Sequence, residues 1–150
     1  MQMTREQQAK HNGAMLLLAN TAGEFRNYLS PLQRHTLLEF VRRKVEEWEF
    51  FADKIIEYAE RIDTMSKTYE QDGKGDDAIV YLHYFMGGFD WWITEKDKDW
   101  TPGDYDQAYG LAKFPGNSPD LGYISIKEIT EAGAELDLHW TPKPLKEVRK

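Results

Sequence analysis

The chain of 150 residues has no cysteine, which excludes disulfide staples, thiolate chemistry and sulfur-ligated zinc. An intracellular, cytoplasmic setting is the default for such a composition. Long apolar runs are missing as well. AMLLLA near the start falls far short of a membrane span and lacks the small-residue cleavage pattern of a secretory signal, so it reads as helix core and no membrane partner is expected. The chain also lacks a phosphate-binding glycine loop, a nucleophile elbow and any pair of histidines at helical metal spacing. No motif commits it to an enzymatic reaction, and no cofactor is expected.

What is present is an ordinary globular composition, 41% hydrophobic and 30% charged, which argues against disorder as the main state. The length fits one domain. Its charge of −7 is unevenly placed: residues 1–38 carry four basic and two acidic groups, 39–77 seven and twelve, and 78–150 eight and twelve. With no basic patch, phosphate-neutralising contact with nucleic acid is disfavoured, and a basic protein partner suits the surface better.

The first half is helical in pattern. Thr4 with Gln7 has the form of a capping box, and Ser30-Pro31-Leu32-Gln33 repeats it with proline at the first helical position. These signals predict helices over residues 5–29 and 31–68, the first loosened near Thr21-Ala22-Gly23. In the second, Leu38, Val41, Val45, Trp48, Ala52, Ile55, Ala59 and Ile62 recur at steps of three and four, a seam expected to bury against the first helix in an antiparallel hairpin or to mediate a homodimer.

Beside the seam lie Glu39, Glu46, Glu49, Asp53, Glu60 and Asp63, a row of negative charge along one helix edge. Such a row can be a solvated face damped by Arg42, Arg43, Lys44, Lys54 and Arg61, or a decoy for a basic cleft that normally holds nucleic acid.

EQDGKGDD, residues 70–77, reads as a joint. Beyond it the period changes from 3.6 to 2, and Gly87-Gly88 supplies the backbone freedom of a tight hairpin between strands at 78–85 and 91–95. That turn sets Phe85 opposite Asp90 and His83 opposite Trp92. Val80, Leu82, Tyr84, Trp91 and Ile93 then share an apolar core face. Tyr81, His83, Phe85, Asp90, Trp92 and Thr94 share the other, which is either a second buried layer under the helices or a recognition surface. Further strands are expected at 107–114, 121–125 and 133–140, with a short helix at 126–131 after the capping box Ser125-Ile126-Lys127-Glu128 and one helical turn at the end. The fold class is therefore α+β: a single domain over residues 1–150, with an N-terminal helical hairpin (1–69) packed on a small, mainly antiparallel sheet (78–150).

His83, Glu95, Asp137 and His139, on strands that can share a sheet, form the alternative candidate site for a metal or an acid–base pair. Single-stranded nucleic acid stacked on exposed aromatics is a further alternative, against the charge.

YLHYFMGGFDWWITE, QAYGLA, LGYISIKEI and ELDLHWTPKPLKEV, in that order over residues 79–148, resemble a domain family of unknown function from phages, plasmids and other mobile genetic elements. Its members stand alone or are attached to antirestriction, helicase, methylase and primase-like proteins. The resemblance implies a signature at Asp90, Trp91, Thr94, Glu95, Gly110, Gly122, Tyr123, Asp137 and Pro142, without a catalytic role. One departure is Leu136 between Glu135 and Asp137, where many relatives carry arginine. The resemblance and the charge together point to a non-enzymatic accessory protein that binds a host protein, such as a nucleic-acid-binding defence protein, in the manner of antirestriction or anti-CRISPR factors. The helical half lies outside the resemblance.

Overall fold

A computed structural model describes residues 2–149. The chain is α+β, with helices α1 (Arg5–Ala19), α2 (Glu24–Asn27), α3 (Pro31–Arg42) and α4 (Trp48–Thr64) preceding the strands. Strands β1 (Ile79–Val80), β2 (Leu82–Met86), β3 (Phe89–Glu95), β4 (Ala108–Lys113) and β5 (Asp120–Ile124) follow, then α5 (Ile126–Glu131), β6 (Glu135–Leu136), β7 (Lys143–Pro144) and α6 (Leu145–Val148). Five strands form one antiparallel sheet in the order β5-β4-β3-β2-β6, and β1 pairs antiparallel with β7.

The capping signals mark true helix starts. The Thr4 hydroxyl accepts from the Gln7 N–H while the Gln7 side chain accepts from the Thr4 N–H. Ser30 and Ser125 accept from the Gln33 and Glu128 N–H groups to cap α3 and α5, without the return bond of a full box, since the Gln33 side chain bonds to Leu136 instead. The two long predicted helices, however, are each divided. The first breaks at residues 20–23, between α1 and α2.

The second breaks after Arg42 in a Schellman motif. The Val45 N–H donates to Phe40 O and the Lys44 N–H to Val41 O, with Lys44 at φ 52° in the left-handed position that glycine usually fills. With no glycine or proline at the break, the local sequence gives no stop signal. The helical half thus agrees in part with the expected hairpin: α1 packs on α3 and α4, but each of the two expected helices is divided.

The seam still finds a core. Val41, Trp48, Ala52, Ile55 and Ile62 are buried inside one chain, and Leu38, Val45 and Ala59 pack partly buried against the same core. α4 also stops at Thr64, short of residue 68, because the following segment turns to pair with the sheet: the Lys96 N–H donates to Ser66 O and the Thr68 N–H to Lys96 O. Tertiary backbone bonds here override helix propensity.

The sheet follows the expected register, with His83 opposite Trp92 and Phe85 opposite Asp90 across the Gly87-Gly88 turn, where Gly87 takes φ 59°. Leu82, Tyr84, Trp91 and Ile93 are buried in the main core with the helices, but Val80, expected on the same face, belongs to a second cluster, the strand being interrupted at Tyr81 between β1 and β2. The opposite face is covered in part by the C-terminal segment: Trp92 and Trp140 pack on Val80, Leu111 and Leu145. The strand expected at 133–140 pairs only at Glu135–Leu136. Beyond it Asp137 bends the chain, accepting from the His139 N–H with its side chain and from the Trp140 N–H with its carbonyl. No helix among the described residues is long and apolar enough to cross a membrane.

Candidate functional site

The acidic row does not run as one edge, because Glu39 lies on α3 and Glu49, Asp53, Glu60 and Asp63 on or near the separate α4 surface. Three of the six carboxylates are committed within the fold. Glu39 bridges Arg42 and Arg43 at 2.7 and 2.9 Å, while Lys10 of α1 meets Glu49 at 3.3 Å and Asp53 at 3.0 Å. The bidentate approach of Arg42 holds the Glu39 carboxyl below its ordinary range. Glu46, Glu60 and Asp63 are exposed and enter no ion pair among the described residues.

On the sheet face, His83 is gripped from both sides. Its Nδ1 lies 2.9 Å from Asp137 Oδ2 and its Nε2 2.8 Å from Asp90 Oδ1, while its ring stacks on Trp92 at 5.4 Å and 14°. Each ring nitrogen thus faces one carboxylate oxygen. The histidine is thereby spent in tying β2, β3 and the 137–140 bend together. Tyr81 is half-buried on the same side, its hydroxyl accepting from Ser66 at 3.4 Å.

His83 and Asp137 are brought together, but the remaining members of the four-residue alternative are not. Glu95 bonds to Tyr69 and Thr94, and His139 is exposed beside the Phe50 ring at 6.0 Å. Among the described residues, no group of three histidines and carboxylates could hold a metal ion.

Thr94 leaves the Trp92 face through an irregularity in β3. The register with β4 slips between Ile93 and Glu95, and Thr94 and Glu95 both line one cleft, where strict alternation would put neighbours on opposite faces. The bulge brings Trp92 O so near to β4 that a Cβ on Gly110 would lie 2.0 Å from it, so only glycine fits there.

This cleft of about 260 Å³ lies between the 68–78 segment and strands β3 to β5. Gln71 pins that segment: its amide donates to Ile79 O and Thr94 O at 2.9 and 2.8 Å and accepts from the Ile79 N–H at 2.7 Å. Tyr69, at φ 78°, gives its N–H to Glu95 and shares a 2.6 Å hydroxyl contact with Tyr123. A left-handed tyrosine costs on the order of 1–3 kcal/mol and persists where its surroundings fix it, often at ligand sites.

Glu95 is 4% exposed, and burial raises its carboxyl above the usual 4.5, with bonds from the Tyr69 and Gln71 N–H groups and the Thr94 hydroxyl opposing that shift. The Tyr69 contact, and then burial, hold the Tyr123 hydroxyl above the ordinary phenol range.

Of the cleft residues, the sequence reading singles out Thr94, Glu95 and Tyr123 but does not join them, and it passes over Tyr69, Gln71 and Tyr109. The only local signal for the segment is its glycine-rich turn character. Lys96 is missed as well. Its ammonium, buried to 5% side-chain exposure, donates to Ile62 O at 2.7 Å, Asp63 O at 3.2 Å and Glu24 Oε1 at 3.0 Å.

No protein-family model matches the chain, nor does a curated protein or a solved structure.

Proposed function

We propose that this chain is a non-enzymatic accessory protein of a mobile genetic element that binds a host protein and so counters defence against foreign DNA, in the manner of antirestriction or anti-CRISPR factors. The partner's contact surface is basic, of the kind that otherwise meets nucleic acid. One observation carries the reading: Glu46, Glu60 and Asp63 stand exposed on the helical half and form no ion pair among the described residues. Carboxylates held by Arg42, Arg43 and Lys10 serve the fold, whereas these three leave a negative surface open to a partner.

Such a surface steers a basic partner over distances up to about a Debye length, ~8 Å at physiological salt. Apolar contact area is available at the far end of the sheet, where Phe85, Phe89 and Phe114 are exposed and Phe89 lies 5.4 Å from Phe114. The resemblance over residues 79–148 supplies the biological setting.

Charge reversal at Glu46, Glu60 and Asp63 tests the surface without cutting an internal ion pair. Immobilised wild-type protein retrieves a nucleic-acid-binding protein from host extract, heparin competes for it, and the E46K/E60K/D63K chain loses it at unchanged thermal stability. Equal retrieval by the triple variant refutes the assignment of this surface.

A further inference from the structure

We propose that the cleft between the 68–78 segment and strands β3 to β5 binds an organic cation through an alkylammonium head group, with tyrosine rings as its walls and Glu95 as the fixed charge. This site is separate from the acidic helical surface.

The walls come first. Tyr109 and Tyr123 meet at 83° with centroids 5.8 Å apart, which forms an aromatic corner, and Tyr69 joins it through the 2.6 Å hydroxyl contact with Tyr123. The negative face of a tyrosine ring attracts a cation within about 6 Å of its centroid. Tyr69 already does so with its neighbour: Lys98 Nζ lies 5.3 Å from that ring's centroid.

The lining includes the carboxylates of Glu95 and Asp72 and, among the described residues, no lysine or arginine. An anion would face two like charges, whereas a cation is attracted by both. Glu95 is nearly buried, yet among the described residues it meets only N–H and O–H donors and no cation. The buried ammonium of Lys96, by contrast, has its counter-ion in Glu24. A buried carboxylate without a counter-charge is costly, and a bound ammonium removes that cost.

The size sets the class of ligand. About 260 Å³ lies below the ~300–1,000 Å³ of pockets for drug-sized molecules, so the cleft suits a head group with a short alkyl stem. Leu121 supplies apolar contact for that stem. The clamp by Gln71 holds the site in shape before the ligand arrives.

The test is titration of the full chain with tetramethylammonium chloride and n-butylammonium chloride, with sodium chloride at equal ionic strength as control, followed by amide chemical shifts. Saturable shifts centred on Tyr69, Gly73 and Tyr123 are expected with the ammonium salts and not with sodium. Glu95→Gln, which keeps an acceptor for the Tyr69 N–H, weakens binding about tenfold or more, and Tyr123→Leu, a change at a residue 57% exposed, weakens it severalfold without loss of fold. A blocked lysine amide binding more tightly than choline assigns the head group to a protein side chain. The reverse order assigns it to a free quaternary amine, and either order supports the site. Equal shifts with sodium, or unchanged affinity in Glu95→Gln, overturn it. Because none of these substitutions touches Glu46, Glu60 or Asp63, failure here leaves the partner surface to its own test.

Discussion

Replacing Lys96 by methionine tests whether the helices and the sheet are held together by one buried charge. Methionine keeps the aliphatic stem and a similar volume, so packing is nearly conserved while the ammonium is lost. Three acceptors then lose their donor: the carbonyls of Ile62 and Asp63, in the last turn of α4, and the Glu24 carboxylate at the start of α2. Carbonyls in a final helical turn have no intrahelical partner, so each depends on an outside donor.

Removing one member of a buried pair costs about 3–5 kcal/mol. Glu24 keeps 20% side-chain exposure and recovers some hydration, which places the expected loss at the lower end, about 3 kcal/mol. For a chain of this length each kcal/mol lowers the melting temperature by roughly 2–4 °C, so the variant should melt about 6–12 °C lower. Urea unfolding followed by tryptophan fluorescence gives the free energy directly. A cycle with Glu24→Gln isolates the pair: the double variant should be more stable than the two single losses together imply, by about 0.5–3 kcal/mol. A loss under about 1 kcal/mol for Lys96→Met, the range of an exposed pair, would refute the argument that this lysine ties the layers together.

Lys44→Gly should stabilise the fold by a few tenths to about 1 kcal/mol, because Lys44 sits at φ 52° where glycine carries no Cβ penalty; a loss of stability in thermal melts would show that its side chain matters more than its backbone. For Glu95 the folded state raises the carboxyl above 4.5, so the native chain binds the proton more tightly than the unfolded one. Its stabilising contribution is complete below 4.5 and is lost as pH rises through the folded value. Glu95→Gln should therefore be more stable than wild type at pH 7, with the difference closing as the buffer is taken down towards 4.5. A difference independent of pH between 4 and 7 would contradict the raised carboxyl.

The local signals were legible wherever they were self-sufficient. Thr4, Ser30 and Ser125 mark helix starts by satisfying N–H groups within their own first turns. The Gly87-Gly88 turn fixes the pairing of His83 with Trp92, and alternation then sends Leu82, Tyr84, Trp91 and Ile93 to the core. Such features depend on neighbours a few residues apart, so the chain by itself determined them, along with its α+β class and its negative charge.

Tertiary structure decided the rest, because the partners are far apart in sequence. The break at Lys44 has no glycine or proline to announce it, and α4 stops where Ser66 and Thr68 bond to Lys96. His83 finds Asp137 54 positions away, and Tyr69 meets Tyr123 at the same separation. The cleft exists because a bulge in β3 turns Thr94 and Glu95 to one side while a distant segment, pinned by Gln71, closes over them. No spacing rule records that encounter, since only the packed sheet and helices bring these side chains within reach of one another.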